Sequence, residues 1–357
     1  MNQISNERQG KPSGSNGPSY EKCSGKFKLE QGLPNETSSA AAEGNRIHEW
    51  CSDPDSIKLE GEELDLAKEC LSQREMLLGM VFNDYIDNPP QYIIEKRLWY
   101  HRNRFSGKPD FIALRDGRAL LVDYKCGRIP VERAERNVQL KWYVALVAHV
   151  YNIKEIVVAI VQPRCSASTL HSLDKKGITA CRNRVTRTLR RMEAPNPTLN
   201  PGPVQCKYCK AKAICPALQK KQESLATIKD AQAITPMQMS GILDFLPIIE
   251  DRCKAIKEHA KRMLNDGANI QGWQLTPASP RRSINDPEAA MTRLDSAGLI
   301  DPNDFLGACR VSVGKLQRAV GESMSVGPGD ARRLVNNALG EVIEEKQGEP
   351  KMERIKE

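Results

Sequence analysis

No stretch of the 357-residue sequence holds the eighteen or so consecutive apolar residues that a membrane-spanning helix requires. The first twenty residues, MNQISNERQGKPSGSNGPSY, lack the apolar core of a secretory signal. A membrane partner is therefore excluded, and a cytoplasmic protein is expected. Residues 1–17 are also short of apolar side chains and predict a disordered tail, because burial there cannot offset the entropy of ordering. Neither sign of charge dominates: 53 Lys and Arg against 45 Asp and Glu leave a net +8, a modest excess that suits an anionic partner or a solvated basic surface. The single C-x2-C has no second C-x2-C near it, so an ordinary zinc ribbon is incomplete. Eleven cysteines in a long chain without an export signal point away from a disulfide scaffold and towards metal or cluster ligation.

At this length one sizeable core with an appended unit is expected. SSAAAEGNRIHEWCSD and LDLAKECLSQREMLLGMVFNDYI carry good helix formers with apolar spacing near 3.6. Strands follow at 92–100, 109–115 and 118–125, and Asp116-Gly117 between the last two is a hairpin signal. A helix at NVQLKWYVALVAHVYN then leads to a short apolar strand, EIVVAIVQP (155–163), and a second helix is expected over 173–193. Four prolines between 195 and 203 break regular structure. The order is helix, three strands, helix, strand, helix: an α/β core.

Within that order, GKPDFIALRDGRALLVDYKCGR places Asp110 at the start of one strand and Asp123 near the end of the next. A tight hairpin sets antiparallel partners side by side, so the two carboxylates can converge. Paired acids repel unless a cation lies between them, and hard oxygen donors suit Mg²⁺ or Mn²⁺. Lys125 shares the face of Asp123, because side chains alternate along a strand. A metal that polarises phosphate and activates water, with an amine beside the developing charge, is the equipment of phosphodiester hydrolysis. A solvated surface hairpin is the plain alternative for an isolated D-x-K.

The surrounding pattern resembles the PD-(D/E)xK nuclease superfamily, and within it the RecB-like exonucleases of the iron–sulfur, CRISPR-associated type. GKPDFIAL resembles the G-x-x-D strand, LLVDYK the D-x-K strand and QLKWY the Q-x-x-x-Y helix, in the family order across residues 19–220. The resemblance implies a restriction-endonuclease-like core, a central mixed sheet flanked by helices. It implies Asp110 and Asp123 as metal ligands, Lys125 acting on the water, and Gln139 and Tyr143 lining the DNA side. EGNRIHEW resembles the histidine segment and makes His48 a further ligand, which favours Mn²⁺ over Mg²⁺. Glu95 is a weaker candidate.

The run CKYCKAKAICPAL supplies Cys206, Cys209 and Cys215, three thiols lacking a fourth ligand nearby. The resemblance implies an iron–sulfur cluster, of 4Fe-4S type, with Cys23 of PSYEKCSGKFKLEQGLP as the remote fourth ligand. Ser24 stands where the family commonly has proline, and Cys51 is the competing upstream thiol. Closing a loop of about 180 residues would contribute roughly 5 kcal/mol if disulfide entropy transfers to a cluster. Zinc is the alternative occupant.

Arg182, Arg184, Arg187, Arg190 and Arg191 form a basic stripe on one expected helix, suited to phosphates, and no base-reading motif accompanies it. The expected organisation is a tail (1–17), a nuclease domain with its cluster (18–220), a linker (221–236), a mainly helical accessory region (237–345) and a tail (346–357). GWQLTPASPRRSINDPEAAMTRLDSAGL resembles the C-terminal part of a phage-encoded branch of the RecB-like nucleases. The resulting expectation is a metal-dependent DNA exonuclease serving phage recombination, replication or DNA processing in the host cytoplasm, with a recombination or replication protein as partner and the oligomeric state open. A DNA-binding or docking module that keeps the fold but little catalysis is the rival.

Overall fold

The structure, a computed structural model, describes residues 10–34, 39–165, 168–226, 234–275, 287–296 and 312–339. The chain divides into two compact units, Met1–Leu275 and Thr276–Glu357.

The first unit begins with two short helices, α1 (Gly17–Lys22) and α2 (Lys26–Leu29), followed by α3 (Ser39–Ser52) and α4 (Gly61–Val81). Five strands form the central sheet: β1 (Gln91–Ile94), β4 (Phe111–Arg115), β5 (Arg118–Tyr124), β6 (Glu155–Val161) and β7 (Thr169–Leu173), in that spatial order. All neighbours are antiparallel except β5 and β6, which run parallel. A parallel pair needs a crossover, and α5 (Val138–Val150) provides it. The Asp116-Gly117 turn closes the β4–β5 hairpin in two residues, both at positive φ (53° and 79°), as a type I′ turn demands.

Both faces of the sheet are covered, which is why β5 and β6 read as nearly continuous apolar runs. On one face Ile112 and Leu121 pack with Trp142 and Leu146 of α5 and with α6 (Lys175–Met192). On the other, Phe111, Leu120 and Val122 pack with Ile47 of α3 and with Leu77 and Leu78 of α4. The protein is thus of the α/β class, a mixed five-stranded sheet flanked by helices.

Three details differ from the sequence reading. The strand expected over 92–100 is broken at Glu95, whose φ of 46° turns the chain out of the sheet. Residues beyond it form β2 (Leu98–Tyr100), which pairs with β3 (Phe105–Gly107) in a separate hairpin. The edge strand β7 falls inside the stretch expected to lead into the second helix; its alternating half-exposed and exposed residues carry no apolar period. The tail expected over 1–17 lies outside the described residues up to residue 9, but from Pro12 the chain is packed: the Pro12 carbonyl accepts from Ser106 N, and Ser13 is buried.

After α6 come α7 (Pro203–Lys207), α8 (Pro216–Ala226) and the long α9 (Pro236–Asn265), opened by a Thr235–Gln238 capping box. The accessory region expected from 237 does not separate there, because α9 belongs to the first unit. Ile248 and Phe245 pack on Cys206, Cys215 and Leu218, and the buried Arg252 guanidinium bonds Gln222 and the Ala213 carbonyl. Of the expected linker at 221–236, residues 227–233 lie outside those described, while 221–226 complete α8 and 234–236 lead into α9; the 346–357 tail lies outside them entirely. The second unit is helical among its described residues: α10 (Pro287–Ser296), and α11 (Val313–Met324) paired with α12 (Pro328–Leu339).

Candidate active site

The hairpin β4–β5 brings Asp110 and Asp123 together, as the spacing requires. Asp110 stands one residue before β4. Its Oδ2 accepts from Tyr124 N at 2.7 Å, and its Oδ1 lies 3.2 Å from His48 Nδ1 on α3. Glu95, turned by its left-handed backbone, donates its N–H to the Asp110 carbonyl and places Oε1 3.7 Å from the same imidazole nitrogen. A non-glycine residue there costs about 1–3 kcal/mol and persists when neighbours over-determine it. Ligand atoms of His48, Glu95 and Asp110 lie within 4.8 Å of one another, a set that can hold a metal ion.

Asp123 is almost wholly buried, 2% exposed, on the α5 side of the sheet. Its Oδ1 accepts from Gln139 Nε2 at 2.8 Å. Its Oδ2 is 2.6 Å from Lys125 Nζ, an ion pair by distance without the alignment of a hydrogen bond, so this oxygen has charge compensation but no directed donor. Gln139 also accepts from Lys125 Nζ at 3.2 Å. One amide therefore spans the acid and the amine, and the first turn of α5 positions it, capped by the Asn137 side chain on Leu140 N.

The electrostatics follow from this packing. Burial disfavours charge on His48, but Asp110 overrides it and holds the imidazole pKa well above the usual histidine range. Asp110 is likewise held low despite burial, chiefly by His48. Burial raises Asp123, with repulsion from Asp110 added, while Lys125 pulls the other way. Lys125 rises in spite of its burial because Asp123 and Asp110 face it.

Tyr143, expected on the DNA side with Gln139, shares a hydrogen bond with Gln139 and lies within the field of Asp123 and Asp110, but it is 4% exposed, its ring packed against Gly107 and Gly14. A Cβ at Gly107 would come within 2.7 Å of Leu146 Cδ2 and 2.9 Å of Tyr143 Cε1, so glycine at the head of the G-x-x-D segment lets the hairpin lie on α5. Sequence reasoning missed Lys108, whose Nζ is 2.5 Å from Glu95 Oε2, and Gln162, which is fully buried. The Gln162 amide donates to the Gly127 and Ile129 carbonyls and accepts from Val131 N, pinning the loop after Lys125. A polar residue ending an apolar strand was the available signal.

A second constellation gathers at the chain's return. Cys206 and Cys215 are buried beside Leu29 and Leu199, and Cys206 senses the charge of both Cys215 and Cys23. Cys23 Sγ accepts from Asn200 N and Cys206 Sγ from Gly202 N, each at 3.4 Å. Burial pushes the Cys209 thiol up to about 12, with Glu30 adding to it. Lys26 is 2% exposed, and its Nζ makes no hydrogen bond; its ion pair with Glu30 is long, 3.9 Å. Cys206 and Cys209 both feel this amine. A buried ammonium without a close anion is costly, and an anionic cluster held by these thiolates would supply one, so the residues fit an iron–sulfur group.

Cys51 is elsewhere, bonded to the Ala67 carbonyl under the sheet with Cys70 and Cys126. There, hydrogen bonds from Cys70 and then His48 bring the Cys126 thiol down to about 5. The arginine stripe is also divided: Arg184 and Arg191 both bind Glu21 and fasten α1 to α6.

Fold and site together define an α/β protein with a buried cluster of carboxylates, imidazole and amine at the strand ends of its mixed sheet. The chain belongs to the family described as "Protein of unknown function (DUF2800)", which matches residues 12–355. Solved structures similar to it include SSO0001 (14% identity, 58% of this chain and 87% of that one, TM-score 0.30). An alkaline exonuclease from Laribacter hongkongensis shares 12% identity over 61% of this chain and 96% of its own, with a TM-score of 0.24. A phage related exonuclease from Haemophilus somnus 129PT shares 11% over 51% and 92%, with a TM-score of 0.23.

Proposed function

We propose that the protein is a metal-dependent deoxyribonuclease that hydrolyses phosphodiester bonds from DNA ends, in phage DNA recombination, replication or processing. The observation that carries this reading is the convergence of His48, Glu95 and Asp110 beside the Asp123–Lys125–Gln139 group. Asp110, Asp123, His48 and Glu95 would hold Mg²⁺ or Mn²⁺, and the imidazole favours Mn²⁺. A bound ion supplies Lewis acidity and lowers the pKa of water. The chain supplies the rest. Lys125 places a cationic amine where negative charge grows on the phosphate. Gln139 fixes that amine against Asp123, so the Lys125 chain is pre-organised rather than solvated. Lys108, half exposed and tied to Glu95, offers a second cation towards solvent, where a substrate phosphate arrives. Cys23, Cys206, Cys209 and Cys215 would hold the iron–sulfur cluster, which fastens the start of the first unit to α7 and α8 and completes the charge around Lys26.

The test is purified protein with Mn²⁺ or Mg²⁺ on end-labelled linear and closed circular DNA. Release of short products from the linear form alone is expected, and chelation stops it. An intact linear substrate under both metals contradicts the proposal and leaves a DNA-binding module.

A further inference from the structure

The β2–β3 hairpin projects from the candidate metal centre: Glu95 precedes it and Lys108 follows it. Leu98 and Tyr100 point into the core, so alternation directs Trp99 outward. Trp99 is only half-buried and joins none of the three buried clusters. Its register partner, Ser106, is four residues before Asp110, at most about 13 Å of strand away. A large aromatic ring left partly open to water near the candidate metal centre is an unusual use of apolar surface.

Beyond Trp99, the hairpin tip is basic. Arg102 and Asn103 both have positive φ, 52° and 57°, and Arg102 stands where Gly, Asn or Asp would cost less. His101 faces His149 of α5 with ring centroids 5.8 Å apart, and Tyr100 ties the hairpin to Thr186 of α6. His149 is held below the usual histidine pKa by partial burial and then by repulsion from His101 and Arg182, so these basic groups crowd one another. Glu193 is engaged bidentately by Arg104, and among the described residues no carboxylate pairs with His101, Arg102, His149 or Arg182. His149 lies ten residues along α5 from Gln139, about 15 Å.

We propose that this hairpin carries single-stranded DNA to or from the metal centre, with a base stacked on Trp99 and the strand passing round the tip, where Arg102 and Arg182 hold phosphates and the His101 and His149 imidazoles offer neutral hydrogen-bond donors. This rests on the nuclease reading and adds the form of its substrate. Stacking on an aromatic ring needs an open base face, which a paired duplex does not offer, and it tolerates any sequence. Phosphates spaced along the strand then meet Arg102 and Arg182, which no carboxylate neutralises among the described residues.

The experiment uses the full chain, a 5′-fluorescein-labelled 15-nucleotide single strand and the matching blunt duplex. Binding is followed by anisotropy over a salt series without divalent metal, and hydrolysis of bis(p-nitrophenyl) phosphate is followed with Mn²⁺. Trp99→Ala is expected to weaken single-strand binding about ten-fold or more while duplex binding changes little. Trp99→Phe restores most of it. Arg182→Ala weakens the single strand and lowers the salt slope by about 0.7. All three variants keep wild-type hydrolysis of the small diester, which is too short to reach the hairpin. Wild-type single-strand affinity in Trp99→Ala, or an equal loss for both DNA forms, overturns the track and leaves the nuclease reading intact. A wild type that binds neither DNA and cleaves no diester overturns both.

Discussion

Two buried polar regions sit in the first unit and solve the same electrostatic problem differently. Around Asp110 and Asp123, each charge has an opposite neighbour: His48 for Asp110, Lys125 for Asp123, Lys108 for Glu95. Around Cys206, the Lys26 ammonium is enclosed with thiols and one distant carboxylate. The first arrangement is close to neutral by itself, so the protein can fold around it without a further charge. The second has only a long ion pair to balance its buried ammonium, so under the proposed reading an anionic cluster there would act on folding. Removing one partner of a buried pair strands the other, which costs more than the pair contributes.

The largest effect is expected at the acidic centre. Asp123→Ala and Lys125→Ala should each reduce DNA hydrolysis about 10³-fold or more, roughly 4 kcal/mol of transition-state stabilisation, with DNA binding by anisotropy near wild type. Equal losses in hydrolysis and binding would erase the distinction between a reactive centre and a structural one.

The cysteine region should respond through folding instead. Protein purified without oxygen should be brown, with iron and sulfide. Cys206→Ala or Cys23→Ala should bleach it and lower unfolding free energy by up to about 5 kcal/mol, whereas Cys51→Ala should keep the iron. Colourless wild-type protein with stoichiometric zinc would contradict the cluster. Lys26→Met sharpens the point: it should stabilise cluster-free protein by removing a buried ammonium held by one long ion pair, and weaken cluster retention during chelation. A loss of stability in both forms would show that Lys26 serves packing alone.

Much of this was legible from residue order. Asp110, Asp123, Lys125 and the Asp-Gly turn lie within sixteen residues, so local hairpin geometry was enough to bring them together. His48 and Glu95 were visible only as separate candidates, because their meeting depends on α3 packing and on one left-handed residue that breaks an apparently continuous strand. Tyr143 lies one helical turn from Gln139 and bonded to it, as the spacing implies, but its burial was not legible because the β2–β3 hairpin that packs on it is absent from the strand reading. The domain boundary at 221–236 was read from a change of composition, which is blind to the burial of Arg252 and Ile248 against α8 and Cys215. Lys26 carried no signal at all, since a buried lysine looks like a surface one in sequence.

A smaller effect should appear at Gln162, which belongs to neither region. Gln162→Ala leaves two carbonyls and an amide without partners and should cost about 2–3 kcal/mol in urea unfolding, with a modest fall in hydrolysis as the loop after Lys125 loosens. Unchanged stability would mean that the loop finds other partners.

The most direct measurement compares wild type and Lys125→Ala side by side on end-labelled linear DNA with Mn²⁺, together with Mn²⁺ binding by calorimetry. Wild type should release short labelled products while Lys125→Ala binds Mn²⁺ comparably but cleaves at least about 10³-fold more slowly. Equal cleavage by the two proteins, or none by wild type with Mn²⁺ bound, would contradict the account.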